Sequence, residues 1–96
     1  MITRIVKMEF KDEHLQEFVD IFNSTKERII SFEGCLSVRL AQEQKYMNLL
    51  FTISQWENLE ALNKYRESEF FITTWSKVKT LFISRAEAWS LTTISE

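Results

Sequence analysis

The stretch YMNLLFTIS, Tyr46 to Ser54, is apolar on both sides of its own alternation. Met47, Leu49, Phe51 and Ile53 fall on one face, and Tyr46, Asn48, Leu50 and Thr52 on the other. Successive side chains of a strand point to opposite faces, so neither side of this strand suits water. A chain that contains it must build a sheet covered on both faces, which removes most small folds from consideration.

The remaining segments supply one of the two covers. ITRIVKMEF alternates, with Ile2, Arg4, Val6, Met8 and Phe10 on one face and Thr3, Ile5, Lys7 and Glu9 on the other, and reads as a first strand. Asp12 is placed to cap a helix whose apolar stripe is Leu15, Phe18, Val19, Phe22 and Ile29. Gly34 then stops the helix, where a positive φ is free of steric cost. CLSVRLA is a second strand, with Leu36, Val38 and Leu40 alternating against Cys35, Ser37 and Arg39, and QEQK turns into the third. Ser54 and Glu57 have capping-box spacing for a short helix carrying Trp56, Leu59 and Leu62. That helix breaks near YRESE, and Ser68 caps another with Phe71, Trp75, Val78 and Phe82 on one stripe. SRAEAWSLTTI closes the chain as a last strand that also takes in Arg85.

The order is β-α-β-β-α-β with the second helical region split in two. It predicts an α+β, ferredoxin-like fold with an antiparallel sheet and every helix on one face. The other face then needs a cover from outside the chain. A second copy laid sheet against sheet, related by a two-fold axis, is the expected solution.

Composition narrows the function. Ninety-six residues fit a single domain, 1–96, with no linker or repeat. Twelve basic against fourteen acidic residues, with neither sign gathered into a stripe, argue against a nucleic-acid binder. No apolar run has the length of a membrane span and the N-terminus alternates too strictly for a signal peptide, so the expectation is a cytoplasmic protein with no membrane partner. One cysteine, Cys35, and one histidine, His14, leave no material for an internal disulfide or a Cys/His metal cage. One glycine and no proline exclude glycine-rich phosphate loops. The expectation is a protein with no metal and no bound cofactor.

The segments FEGCLSVRL, SQWENLEALNKYRESEFF and AEAWSL together resemble the antibiotic biosynthesis monooxygenase domain of the dimeric α+β barrel proteins, over nearly the whole chain. The resemblance implies a homodimer whose two sheets form a barrel, with a cavity between helices and sheet in each subunit. It also allows two chemistries to be compared with the residues present. The haem-degrading branch needs an Asn, a Trp and a ligating His where ungapped matching finds Val6, Tyr65 and Trp75, and no histidine follows His14. The cofactor-independent branch asks only for an apolar, water-poor cavity and a few polar groups, because the substrate itself gives electrons to dioxygen.

The implied function is oxidation of a small aromatic or quinol-type molecule by dioxygen. The alternative is a non-catalytic homodimeric module that binds a small molecule, or serves in a stress response, on the same scaffold. Trp56, Tyr65, Phe71 and Trp75 are the expected pocket lining, each with a competing reading as core packing. Tyr65, Asn48 and Arg85 are the candidates for catalysis at its edge. Asn48 has a competing reading as an interface hydrogen-bonder, and Arg4, Arg39 and Arg85 as cross-strand or intersubunit partners of Glu9, Glu43 or Glu87. His14 reads as a solvated residue of the first helical turn.

Overall fold

The computed structural model describes residues 1–96. Its elements follow the order β1 (Ile2–Glu9), α1 (Leu15–Ile30), β2 (Cys35–Gln42), β3 (Leu49–Trp56), α2 (Leu59–Arg66), α3 (Glu69–Val78) and β4 (Glu87–Thr92). Short 3-10 turns lie before α1, at Asp12–His14, and after α3, at Lys79–Leu81. All pairings are antiparallel and the sheet order is β2-β3-β1-β4, the ferredoxin-like α+β arrangement expected from the sequence. No helix is long and apolar enough to cross a membrane.

Strand parity sorts the sheet into two surfaces. In the register of β1 with its neighbours, Arg4 lies opposite Ser54 and Ser90, and Ile5 opposite Ile53 and Trp89. The face carrying Met8, Leu50 and Val38 packs on Phe18 and Phe22 of α1 and on Val78 of α3, forming the core together with Phe10 and Leu81. The opposite face presents Phe51 and Ile53 of β3, Ile5 of β1, and Trp89 and Leu91 of the edge strand β4, and nothing in the chain covers it. Trp89 and Leu91 are 43% and 46% exposed.

Two of the punctuation signals act as expected. Gly34 has φ +84°, and Ser68 caps α3 by accepting from the Phe71 N–H at 3.1 Å.

Four others do not. Asp12 caps nothing: it sits in the 3-10 turn, α1 starts at Leu15 without a side-chain cap, and His14 instead bonds Glu17 at 3.2 Å. The third strand begins at Leu49, not Tyr46, because the Glu43 carboxylate takes the N–H groups of Lys45 and Tyr46 and folds that segment into a turn. At the other end β3 runs through Trp56, which pairs with Ile2 and with Cys35. No Ser54–Glu57 capping box forms, and Asn58 caps α2 by accepting from the Ala61 N–H at 2.8 Å. A central strand bonded on both sides outcompetes a local helix start.

Leu36 sits at a register shift between Cys35 and Ser37, and this bulge turns it out to 50% exposure. Arg85 lies in the irregular segment before β4, outside any strand.

Candidate functional site

A cavity of about 390 Å³ lies between the helices and the inner face of the sheet, within the range of small-molecule sites. Its floor is the even-numbered side of β1, with Arg4, Val6 and Met8, beside Thr52, Ser54 and Trp56 of β3. Phe18, Ile21, Phe22, Thr25 and Ile29, one stripe of α1, form one wall. The α2–α3 region forms the other, through Leu62, Tyr65 and Arg66, then Phe71, Thr74, Trp75 and Val78. Fifteen of the 21 lining residues are hydrophobic, so water gains few partners inside.

The four rings expected in the lining are all there. They form a connected series: Trp56 stacks on Tyr65 at 5.0 Å, Tyr65 meets Phe71 edge-on at 5.1 Å, and Phe71 lies parallel to Trp75 at 5.9 Å. Trp75 then meets Phe82, which reaches the core ring Phe10 at 5.2 Å. Core and pocket are therefore one aromatic system: Trp56 is wholly buried yet borders the cavity, while Tyr65 and Trp75 are half-buried. Such offset and edge-on pairs add about 0.5–1.5 kcal/mol each beyond area burial.

Asn48 is not in the lining. It lies in the turn before β3, and its side-chain amide donates to the Phe10 carbonyl at 3.3 Å within the same chain. Arg85 is not in the lining either, although its neighbour Ala86 is. His14 remains outside as well.

The cations that do reach the cavity are Arg4 and Arg66. Arg4 sits among Val6 and Met8 on the inner face of β1 and donates to the Ser90 hydroxyl at 3.0 Å. Arg66 ends α2 at the cavity's rim, where it is solvent-exposed. Neither has a carboxylate partner. The ion pairs of the chain join Lys7 to Glu87, His14 to Glu13 and Glu17, and Lys64 to Glu60, none of them in the cavity. The expected cross-strand pairing of Glu87 with an arginine is thus replaced by Lys7.

The sequence signal for Arg4 was its parity with Val6 and Met8, a charge on an apolar face. Arg66 gave no such signal, since within YRESE it reads as one charge of a solvated run.

Burial holds the Arg4 guanidinium below the usual arginine value, and the positive charge of Arg66 adds to the effect. Burial also pushes the Tyr65 phenol well above the ordinary tyrosine value, with a further push from Cys35. Tyr65 is therefore a neutral hydroxyl at physiological pH, suited to donating a hydrogen bond and not to removing a proton. No three His, Cys, Asp or Glu side chains gather as metal ligands. The cavity can enclose an apolar molecule, present hydroxyls from Ser54, Thr52, Thr25, Thr74 and Tyr65, and offer two cations at one side.

The family model for antibiotic biosynthesis monooxygenases matches residues 1–74. Among solved structures, one described as an antibiotic biosynthesis monooxygenase superposes with a TM-score of 0.89 at 17% identity, covering 99% of this chain and 100% of that one. A conserved protein from Methanosarcina mazei gives 0.88 at 23% identity, covering 95% and 91%. SnoaB, a cofactor-independent oxygenase from Streptomyces nogalater, gives 0.87 at 17% identity, covering 99% and 94%. No curated protein sequence matches the chain.

Proposed function

The chain belongs to the antibiotic biosynthesis monooxygenase family, and on that footing we propose that it oxidises a small aromatic, quinol-type molecule with dioxygen inside the cavity, without a resident metal or flavin. The observation that carries this reading is the cavity of about 390 Å³ with its wall of Trp56, Tyr65, Phe71 and Trp75. That volume holds a compact polycyclic molecule, and the rings offer it faces to stack on.

The chemistry asks the protein for confinement and orientation. An ionised substrate passes one electron to dioxygen, and the resulting carbon radical and superoxide combine at a C–H carbon. Loss of water from that hydroperoxide leaves a carbonyl, so one oxygen atom stays in the product and the other departs in water. No outside reductant is consumed. Excluding bulk water limits escape of the radical pair, which is the role of the apolar walls.

Oxygen uptake followed by electrode, with a panel of quinols and hydroxyanthrones, tests the proposal. Wild-type protein should consume oxygen with a panel member, and Trp75→Ala should consume it roughly 10-fold more slowly. No uptake above that control across the panel removes catalysis from the reading.

One observation favours a second reading, a binding module without catalysis. The cavity lining contains no Asp, Glu or His, and Tyr65 is held protonated, so a general base is missing. Retained ligand binding with no oxygen uptake selects it.

In either reading the working unit is a homodimer joined through the open face of the sheet. The support is the apolar band of Ile5, Phe51, Ile53, Trp89 and Leu91, too large a surface to leave in water. Sedimentation velocity should give a dimer for the wild type and a monomer for Ile53→Lys. A wild-type monomer at micromolar concentration overturns it.

A further inference from the structure

We infer that the cavity is built for an anion: the ligand is an aromatic molecule bearing an oxyanion, carboxylate or phenolate, held against Arg4 and Arg66. This rests on the reading of the cavity as the ligand site and deepens it by naming the charge of the ligand and the residues that meet it.

Three observations converge. The whole chain has more acids than bases, fourteen against twelve, yet the cavity lining reverses that balance completely, with two arginines and no acid. Both arginines lack an ion-pair partner, although carboxylates are plentiful elsewhere on the surface. And Arg4 is set among apolar side chains with only the Ser90 hydroxyl bonded to it, leaving most of its five N–H donors uncommitted. A half-buried cation beside a second cation costs stability in the empty protein, and burial and mutual repulsion both weaken the hold of Arg4 on its proton. An anion in the cavity relieves both penalties at once. The planar fork of a guanidinium matches the two oxygens of a carboxylate, or one phenolate oxygen from two donors.

The same arrangement accounts for the missing base. If the ligand is a phenol, two nearby cations lower its pKa and draw out the ionised form, with the proton released to solvent and no side chain needed to accept it. Tyr65, the third ionisable group of the lining, stays neutral and can donate its hydroxyl to the same oxygen.

The test uses three probes of one shape with the full-length protein, read by titration calorimetry: naphthalene-2-carboxylate, which is always ionised near neutral pH, 2-naphthol, and naphthalene-2-methanol, which does not ionise. A charge-assisted hydrogen bond of ordinary strength predicts that the carboxylate or the naphtholate binds roughly 10- to 100-fold more tightly than the alcohol. Arg4→Gln should shrink that preference several-fold, costing the anions much more affinity than the alcohol, and Arg4→Lys should restore part of it.

Preference for the carboxylate identifies a permanently charged ligand. Preference for 2-naphthol, with its bound form ionising at lower pH than the free one, identifies an anion made on binding. Equal affinity for all three probes overturns the inference while leaving the cavity as a ligand site. So does an equal loss for all three in Arg4→Gln, with thermal unfolding showing the variant folded. Failure of every probe to bind overturns both this inference and the reading of the cavity on which it rests.

Discussion

The indole N–H of Trp56 donates to the hydroxyl of Ser54 at 2.9 Å, two residues apart on the same side of β3 and both bordering the cavity. Ser54 is the one buried polar residue of the chain, and Trp56, like Phe10, is a wholly buried ring. In Ser54→Ala the indole N–H loses its partner in an apolar surrounding. We expect a loss of about 1–3 kcal/mol, measured by urea unfolding with tryptophan fluorescence. Ser54→Thr, which keeps the hydroxyl, should lose less.

Trp56 and Trp75 both line the cavity, and their truncations should separate core from wall. Trp56 is 0% exposed and closes the central strand, so Trp56→Ala should cost about 3–5 kcal/mol. Trp75 is half-buried and already faces an opening, so Trp75→Ala should cost about 1–2 kcal/mol, with ligand affinity falling more than stability. Unfolding midpoints and calorimetric titration of the same two variants give both quantities.

Gly34 makes a steric prediction. Its φ is +84°, and a Cβ there would stand 2.4 Å from the Cβ of Ala61 on α2. Gly34→Ala should therefore cost about 2–4 kcal/mol, from the left-handed backbone and the clash together. Placing it in an Ala61→Gly background should recover the clash and leave about 1–2 kcal/mol of backbone strain. Comparing chemical denaturation of Gly34→Ala in the two backgrounds separates the parts.

Tyr65 makes a pH prediction. Its folded pKa lies above the ordinary value of 10.0, chiefly through burial. The unfolded chain thus releases this proton first, and the stability it contributes is complete below pH 10 and falls as the pH rises beyond. The slope should approach, at most, about 1.4 kcal/mol per pH unit. Tyr65→Phe removes that slope, so unfolding of the two proteins between pH 8 and pH 11 should diverge only in the upper half of the range.

Cys35 should react slowly. Burial raises its thiol above the usual value, which lowers the thiolate fraction at pH 8. We expect reaction with a disulfide reagent several-fold slower than for an unfolded control in urea.

How much of this could be read in advance depends on how local each signal was. Alternation along Ile2–Phe10 and the helical spacing of Phe18 and Phe22 identify elements because each pattern is complete within its own segment. Gly34 and Ser68 acted as read because a positive φ and a serine cap need no distant partner. The Ser54–Glu57 motif failed for the opposite reason. The spacing is right for a helix start, but two neighbouring strands claim the backbone as far as Trp56.

Asn48 and Arg85 lie outside the cavity lining because β3 and β4 begin just after them, so strand parity does not carry to either position. The four aromatic lining residues were visible because large rings at helical spacing lead to either a core or a pocket, and here the two are continuous. The arginine pair was not, since Arg4 and Arg66 lie sixty-two positions apart in sequence and meet only through the folded sheet and α2.

The alternation of β1 has one more consequence. Arg4, Val6 and Met8 look into the cavity, while the interleaved Thr3, Ile5 and Lys7 look the other way. Eight residues thus write two messages in alternate letters, one read by whatever enters the cavity and one by whatever meets the open sheet. Substitution at even positions retunes the first and leaves the second legible, and odd positions do the reverse. Deleting or inserting a single residue in this strand scrambles both. A scaffold of this kind diversifies readily by point substitution and hardly at all by changes in length, and the length of β1 should be its most conservative feature.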